Sequence, residues 1–215
     1  GFSNTHTHES IVVDTEANIS PTSMIMVHDG ITFWLGGQCG MSPTGVNIQS
    51  DEGINVVQGD PSTSMSEFLD EAENVPLYSN YATMTGNLTL RSQMGLRHME
   101  HETPEQIEKM EKILAEDMAA GSFGISSGLM YDMGATTESM MALAEVSKKA
   151  GGMMTSHTRY PTFNLKHLSM GIENVIMKRS IYEAIDITRQ TRVPFIVSHI
   201  TAMAQADSAR WNFKA

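Results

Sequence analysis

The sequence is poor in cysteine, in basic side chains and in long apolar runs. Its 215 residues include one cysteine, and 14 Lys and Arg stand against 25 Asp and Glu, for a formal charge of -11. One cysteine cannot form an internal disulfide, which fits a reducing compartment such as the cytoplasm. The sequence contains no run of about 18 apolar residues, the length that spans a bilayer. The acidic balance disfavours nucleic acid and membrane surfaces as partners, so we expect a small-molecule ligand.

Two further motifs are missing from the sequence. No glycine-rich phosphate-binding fingerprint follows the first predicted strand, which disfavours a nucleotide-binding fold. A nucleophile-elbow sequence is also lacking, so a serine hydrolase of that type is not indicated. The chemistry must therefore come from other residues.

Short apolar or Gly-bounded runs alternate with segments of helical periodicity, which indicates βαβ units and a parallel sheet. Six strands are predicted, over residues 1–8, 31–39, 81–87, 122–127, 152–158 and 193–199. Helices are predicted over 104–120, 137–150 and 174–190, and long loops over 41–60 and 160–171. This order favours a doubly wound sheet or a (β/α)8 barrel.

The helix over 104–120 has the clearest signals at both ends. Thr103 is a candidate N-cap, Pro104 occupies the first turn, and Gln106 can complete a capping box. Gly121 follows the last turn, where a C-terminal glycine is favoured. Its apolar residues form one stripe, which we expect to face the core.

Five potential metal ligands lie at the ends of four predicted strands: His6, His8, Cys39, His157 and His199. The carboxyl ends of all strands of a parallel barrel meet on one face, so these side chains should converge there. A lone His or Cys is more often a packed core residue, but the joint placement favours a metal site. The remaining histidines, in loops or before a helix, are expected to be solvated or to cap: His28, His98, His101 and His167.

A divalent ion at such a site lowers the pKa of a bound water and polarises a carbonyl, which suits amide hydrolysis. The reaction also needs a carboxylate base. Asp207 is the nearest acidic residue after the sixth strand, but no strand pattern surrounds it.

Six sequence blocks follow one another through most of the chain: GFSNTHTHES (1–10), GGQCGMSP (36–43), TGNLTLR (85–91), GISSGLMY (124–131), TSHTR (155–159) and VPFIVSHI (193–200). In sequence, order and spacing they resemble the D-aminoacylase (N-acyl-D-amino-acid deacylase) branch of the amidohydrolase superfamily. The cysteine block and the SSGLMY block are the most specific to this branch.

The resemblance implies an amidohydrolase-type (β/α)8 barrel that holds one or two zinc ions and cleaves N-acyl-D-amino acids. The implied metal ligands are His6, His8, Cys39, His157 and His199. Tyr131, Arg159 and Thr201 match or adjoin substrate-contacting positions, although Tyr131 and Arg159 could equally have structural roles. Relatives often have Lys at the position of Thr201 and His at that of Asn87.

Two alternatives remain open on the sequence. The substrate could be a cyclic amide or a dipeptide, as in dihydroorotase-, hydantoinase- or isoaspartyl dipeptidase-like relatives. Cys39 argues against this, because those enzymes use a modified lysine at the corresponding place. The chain could instead be a non-catalytic metal-binding piece. A homo-oligomer is also possible.

Six strands do not close an eight-stranded barrel, which usually needs about 250 residues. We therefore expect residues 1–215 to be an incomplete hydrolase barrel domain, without the last two strands and a small β-domain. The family's catalytic Asp comes from the eighth strand, so the catalytic base is unknown in this sequence.

Overall fold

The computed structural model describes residues 1–8, 20–48, 56–159 and 172–198. Strands and helices alternate over most of this length. In chain order the elements are β1 (Phe2–Asn4), α1 (Pro21–His28), β2 (Ile31–Gly36), β3 (Gly45–Ile48), β4 (Val56–Gly59), α2 (Met65–Glu73), β5 (Asn80–Thr83), β6 (Thr85–Gly86), α3 (Asn87–Gln93), α4 (Pro104–Ala120), β7 (Gly124–Gly128), α5 (Thr137–Lys149), β8 (Met153–His157), α6 (Ile172–Thr191) and β9 (Phe195–Ser198).

Seven of the strands are parallel and follow one another in space as they do in sequence. One sheet has the order β1-β2-β5 and the other β6-β7-β8-β9. Only Met84 separates β5 from β6, and the Phe123 amide donates to the Thr83 carbonyl at 2.9 Å across this junction. The carboxyl ends of all these strands therefore lie along one edge, as the βα pattern predicts.

The sheet is strongly curved. Ser198 ends the last strand and His6 follows the first, yet Ser198 Oγ lies 3.2 Å from His6 Nδ1. A contact between residues 192 positions apart in sequence requires the two ends of the strand series to approach each other at the carboxyl edge. This is the curvature expected of a barrel wall.

Helices α3 to α6 cover the outer face of β6 to β9. The largest buried cluster lies between these layers and includes Leu90, Met110, Leu114, Ile125, Leu129, Met140, Leu143, Met154 and Ile187. The inner face is partly polar: Thr155 Oγ1 donates to Gln38 Oε1 at 2.7 Å, and Gln38 Nε2 donates to the Thr5 carbonyl at 3.1 Å. These bonds connect β8 through the interior to the segments that follow β1 and β2.

The predicted helix over 104–120 is confirmed at both ends. The Gln106 amide donates to Thr103 Oγ1 at 3.3 Å, and Gln106 Oε1 accepts from the Thr103 amide at 2.9 Å, which completes the capping box. Gly121 caps the carboxyl end with a φ of +127°. Met110 and Leu114 are fully buried on the core side, as the apolar stripe predicts.

Several predicted strands are longer than the observed ones. The first, predicted over 1–8, is limited to Phe2–Asn4, and the second ends at Gly36 rather than at residue 39. The Asn4 side chain accepts from the His6 amide at 3.2 Å, and Gly37 has a φ of +73°. The backbone therefore turns out of the sheet after β1 and after β2. The third is interrupted at Met84, and Asn87 already begins α3.

The prediction of a loop over 41–60 is wrong for its described part. Strands β3 and β4 pair antiparallel, with Gly45 opposite Gly59 and Ile48 opposite Val56. Val46 and Ile48 are fully buried and pack with Leu88, so apolar burial stabilises a strand that the polar composition concealed. The predicted loop over 160–171 lies outside the described residues.

Within the described ranges, no helix is both long enough and apolar enough to cross a bilayer.

Candidate metal centre

The thiol of Cys39 lies between two imidazoles at the carboxyl edge of the sheet. Cys39 Sγ is 3.5 Å from His6 Nε2 and 3.5 Å from His157 Nδ1. We call His6, Cys39 and His157 the sulfur-imidazole corner. One ligand atom each of His6, His8 and Cys39 also lie within 4.8 Å of one another. The structure thus brings together four of the five metal ligands predicted from the sequence.

His6 and His8 reach the corner from an extended segment beyond β1, not from the strand itself. Their ring centroids are 5.3 Å apart and the rings are nearly perpendicular, at 79°. Thr7, between them, is buried on the other side and its hydroxyl donates to the Leu35 carbonyl at 3.1 Å. The alternation expected from period 2 therefore persists after regular pairing has ended, with His8 on the exposed side of the corner.

Cys39 has a left-handed backbone conformation, with a φ of +54°. This conformation is uncommon for a residue other than glycine. Glycines allow the cysteine turn to lie directly against its neighbours: a Cβ on Gly128 would collide with the Cys39 carbonyl oxygen, and one on Gly86 with the Gly40 carbonyl. The GGQCG and SSGL blocks thus contact each other through backbone.

The chemistry of these donors suits a borderline-soft divalent cation. Thiolate and imidazole are the usual zinc ligands, whereas calcium and magnesium prefer oxygen. Burial raises the pKa of the Cys39 thiol to about 12, so its thiolate needs a nearby cation. His6 directs Nε2 at the sulfur while Nδ1 contacts Ser198 Oγ at 3.2 Å, the arrangement that orients a metal-binding imidazole. The residues present therefore fit zinc.

His157 and His199 were both predicted at strand ends. His157 is the last residue of β8 and is buried, as predicted. Strand β9 ends at Ser198, directly before His199. His199 itself and Thr201 lie outside the described residues, so their predicted roles stay predictions.

Tyr131 lies beside the corner. Its ring centroid is 5.0 Å from that of His157, with the rings tilted by 59°. The side chain is half-buried and packs against Val46, Ile48 and Leu88. Burial, with a smaller contribution from Cys39, raises the pKa of the phenol, which therefore stays protonated at neutral pH.

Arg159 forms a structural ion pair. Its Nη2 lies 2.8 Å from Glu183 Oε1 on α6, Nε donates to Glu183 Oε2 at 3.2 Å, and Nη1 donates to the Met133 carbonyl at 2.9 Å. Both side chains of the pair are about nine-tenths buried. The sequence left a substrate-contacting role and a structural role open for Arg159, and these contacts are those of a structural residue.

A buried charged group that was not predicted from the sequence lies next to this site. Arg91 forms ion pairs with Glu102 and Asp132, and none of the three side chains is exposed in these pairs. We call these three residues the arginine cluster. Burial raises the pKa of Asp132 to about 7, against the attraction of Arg91. Arg91 ends the TGNLTLR block and Asp132 directly follows SSGLMY. Two of the three charged residues thus lie at the ends of motifs that had already been recognised.

Two of the remaining predictions concern Asn87 and the other histidines. Asn87 is buried, and its Oδ1 accepts from the Gly128 amide at 3.0 Å. Of the two roles expected for His98, solvated or capping, the solvated one is wrong, because the ring is buried and its Nδ1 lies 2.7 Å from the Tyr131 carbonyl. His101 contacts the Gly134 carbonyl in the same way at 2.7 Å, His28 is exposed as predicted, and His167 lies outside the described residues.

Comparison with known proteins agrees with the resemblance found in the sequence. No protein-family model matches the chain. It is 24% identical over 213 residues to an N-acyl-D-glutamate deacylase of Alcaligenes xylosoxydans xylosoxydans, which covers 96% of this chain and 40% of that protein. The predicted resemblance to the D-aminoacylase branch is confirmed.

Solved structures of this branch have the same fold. The crystal structure of D-aminoacylase, which defines a subset of the amidohydrolases, matches with a TM-score of 0.72 at 21% identity, over 92% of this chain and 40% of that one. The N-acyl-D-glutamate deacylase of Bordetella bronchiseptica, solved with zinc and a phosphonate mimic of the tetrahedral intermediate, also gives 0.72, at 20% identity over 91% and 39%. The α/β fold class is confirmed, and the chain spans about two-fifths of the length of these relatives.

Proposed function

We propose that the protein is a zinc-dependent hydrolase that cleaves the amide bond of N-acyl-D-amino acids. The observation that carries the proposal is the buried Cys39 thiol, 3.5 Å from both His6 and His157 at the carboxyl edge of a parallel sheet. This edge is where barrel enzymes place their active sites. The likeness to a curated N-acyl-D-glutamate deacylase supports an N-acyl-D-amino acid as substrate.

The metal would be held by His6, His8, Cys39 and His157, with His199 as a further proposed ligand. When bound, zinc supplies a Lewis acid that polarises the amide carbonyl and makes water acidic near neutral pH. Cys39 contributes negative charge, which the imidazoles lack. Ser198 holds the His6 ring with Nε2 towards the sulfur.

Other residues would bind the substrate. Tyr131, protonated and packed beside His157, can form one wall of the pocket and donate a hydrogen bond. Thr201 is proposed as a second hydrogen-bond donor. Arg159 is proposed to act indirectly, because Glu183 already neutralises its charge. The reaction also needs a general base, and the family resemblance suggests an Asp on an eighth strand.

An assay with matched substrates tests this proposal. The full-length protein, loaded with zinc, is expected to release amine from N-acetyl-D-glutamate faster than from the L-enantiomer or from a cyclic amide. A chelator should abolish the activity and zinc should restore it. Release from the cyclic amide alone would support the alternative substrate class, and no release from any of them would overturn the proposal.

Variants connect the activity to the corner. Cys39→Ala is expected to lose both bound zinc and amine release. His28→Ala is the matched control, because this histidine is exposed and its ring contacts only the neighbouring Asp29 among the described residues. Equal zinc content in both variants would contradict the proposed site.

A further inference from the structure

Arg91 forms more contacts than a simple ion pair requires. Besides the two carboxylates of the arginine cluster, its Nη2 donates to the carbonyls of Glu100 at 2.6 Å and Arg97 at 3.2 Å. One guanidinium thus fixes α3, the 97–100 turn and the segment after β7. Its planar fork suits this, because the donors point in fixed directions.

These contacts converge on Tyr131 from two sides. Asp132, which pairs with Arg91 Nε, is the next residue in the chain. On the other side, the 97–100 turn held by Arg91 carries His98, whose Nδ1 lies 2.7 Å from the Tyr131 carbonyl. The Gly134 amide also donates to the His98 carbonyl at 2.8 Å. The carbonyl of Tyr131 and the residue that follows it are therefore both connected to one arginine.

The amino-terminal side of the Tyr131 segment is fixed as well. The Tyr131 amide donates to the Gly128 carbonyl at 2.8 Å, and the Gly128 amide donates to Asn87 Oδ1 at 3.0 Å. The ring is left with a defined position, 5.0 Å from His157. A charged, directional network is a costly way to obtain stability alone, since apolar packing often serves as well.

We propose that Arg91 is a positioning residue that holds Tyr131 beside His157 through Asp132 and His98, and so shapes the wall of the proposed substrate pocket. This inference rests on the proposed function. Arg91 itself touches none of the proposed metal ligands in any contact described above. Its loss should therefore affect substrate binding through Tyr131 and leave the metal in place.

A double-mutant cycle tests the connection in the zinc-loaded, full-length protein. Arg91→Lys keeps the charge but loses the fork, and we expect it to raise KM for N-acetyl-D-glutamate about tenfold, with kcat changed less and zinc content unchanged. In a Tyr131→Ala background the same substitution should change KM less than about twofold. Additive effects on KM would overturn the inference. If Arg91→Lys does not fold, Asp132→Asn and His98→Gln replace it in the cycle.

A second measurement does not need activity. Fluorotyrosine labelling gives Tyr131 its own fluorine resonance, which Tyr131→Phe identifies. We expect Arg91→Lys and Asp132→Asn to move this resonance and Arg189→Lys, on the exposed side of α6, to leave it unchanged. If the wild-type protein hydrolyses nothing, the proposed function fails but this result still tests the positioning role. An unmoved resonance in the folded variants would overturn it.

Discussion

Two polar clusters lie near the carboxyl edge of the same sheet, and they compensate burial differently. In the arginine cluster the chain supplies its own counter-ion, since one guanidinium faces two carboxylates. In the sulfur-imidazole corner, a thiol faces two imidazoles that are neutral when they act as ligands. The first cluster therefore contains a counter-ion of its own, whereas the donors of the second suit a cation from outside the chain.

This difference distinguishes a buried cluster that stabilises the fold from one whose donors suit metal binding. A buried charge must be paired or it changes its protonation state. Burial raises the pKa of Cys39 from 9.0 to about 12, where no cation of the chain faces the thiol in the contacts described above; it raises the pKa of Asp132 from 3.8 to about 7 against the attraction of Arg91. Removing a residue from the arginine cluster should therefore affect folding, and removing one from the corner should affect metal affinity.

Arg91→Met should give the largest effect and would test the structural side of this comparison. It leaves Glu102 and Asp132 buried without their counter-ion, so we expect the free energy of unfolding to fall by about 3–5 kcal/mol. Urea denaturation measures it. Arg189→Met is the matched control, because that arginine is exposed and lies 3.9 Å from Asp186, and it should cost less than about 0.5 kcal/mol. Equal losses in the two variants would contradict the comparison.

Gly128→Ala addresses the corner without removing a ligand. The new Cβ would collide with the Cys39 carbonyl oxygen, so the cysteine turn must shift. We expect metal affinity to fall about 10- to 100-fold, the range typical of residues that orient ligands. Titration with Co²⁺, followed by its thiolate absorption, measures the affinity. Gly95→Ala is the control, since a Cβ there meets nothing within 4 Å; a similar fall in that variant would count against the packing argument.

Ser198→Ala should have a smaller effect on the same site. It removes the hydroxyl 3.2 Å from His6 Nδ1 and leaves the His6 ring less well oriented. We expect a loss of about tenfold in Co²⁺ affinity. Ser147→Ala removes a buried hydroxyl that donates to the Met153 carbonyl, and it should leave affinity unchanged. Unchanged affinity in Ser198→Ala would mean that Ser198 does not orient His6.

Sequence patterns predicted features that depend on local or periodic signals. Helix α4 has its cap residues in sequence, and parallel strand pairing follows from the βα alternation, so both were predicted correctly. Cys39 and His157 were recognised because strand ends meet at one edge. Their 3.5 Å contact needed the turn at Cys39 and the glycine packing beneath it, which no local pattern encodes.

The arginine cluster shows why the rest was not predictable. Arg91, Glu102 and Asp132 are charged residues, for which exposure is the usual outcome. Only the tertiary structure brings them together, from α3 and two different loops. The hairpin of β3 and β4 was missed for a related reason, because its apolar residues are few and become buried against Leu88 from another segment.

Asp117 offers the mildest test, because its burial is offset by hydrogen bonds and not by a counter-ion. Thr85 Oγ1 donates to its Oδ2 at 2.9 Å, yet burial raises its pKa from 3.8 to about 6. The folded state then binds this proton more tightly than the unfolded state, so stability should fall as pH rises from about 4 to about 6 and level off above it. We expect about 1 kcal/mol from this group, discounted for its partial exposure. Asp117→Asn should remove that part of the pH dependence in urea denaturation, whatever its effect on absolute stability, whereas Glu108→Gln, at an exposed position of the same helix, should retain it. An unchanged slope in Asp117→Asn would show that hydrogen bonds fully offset the burial of this carboxylate.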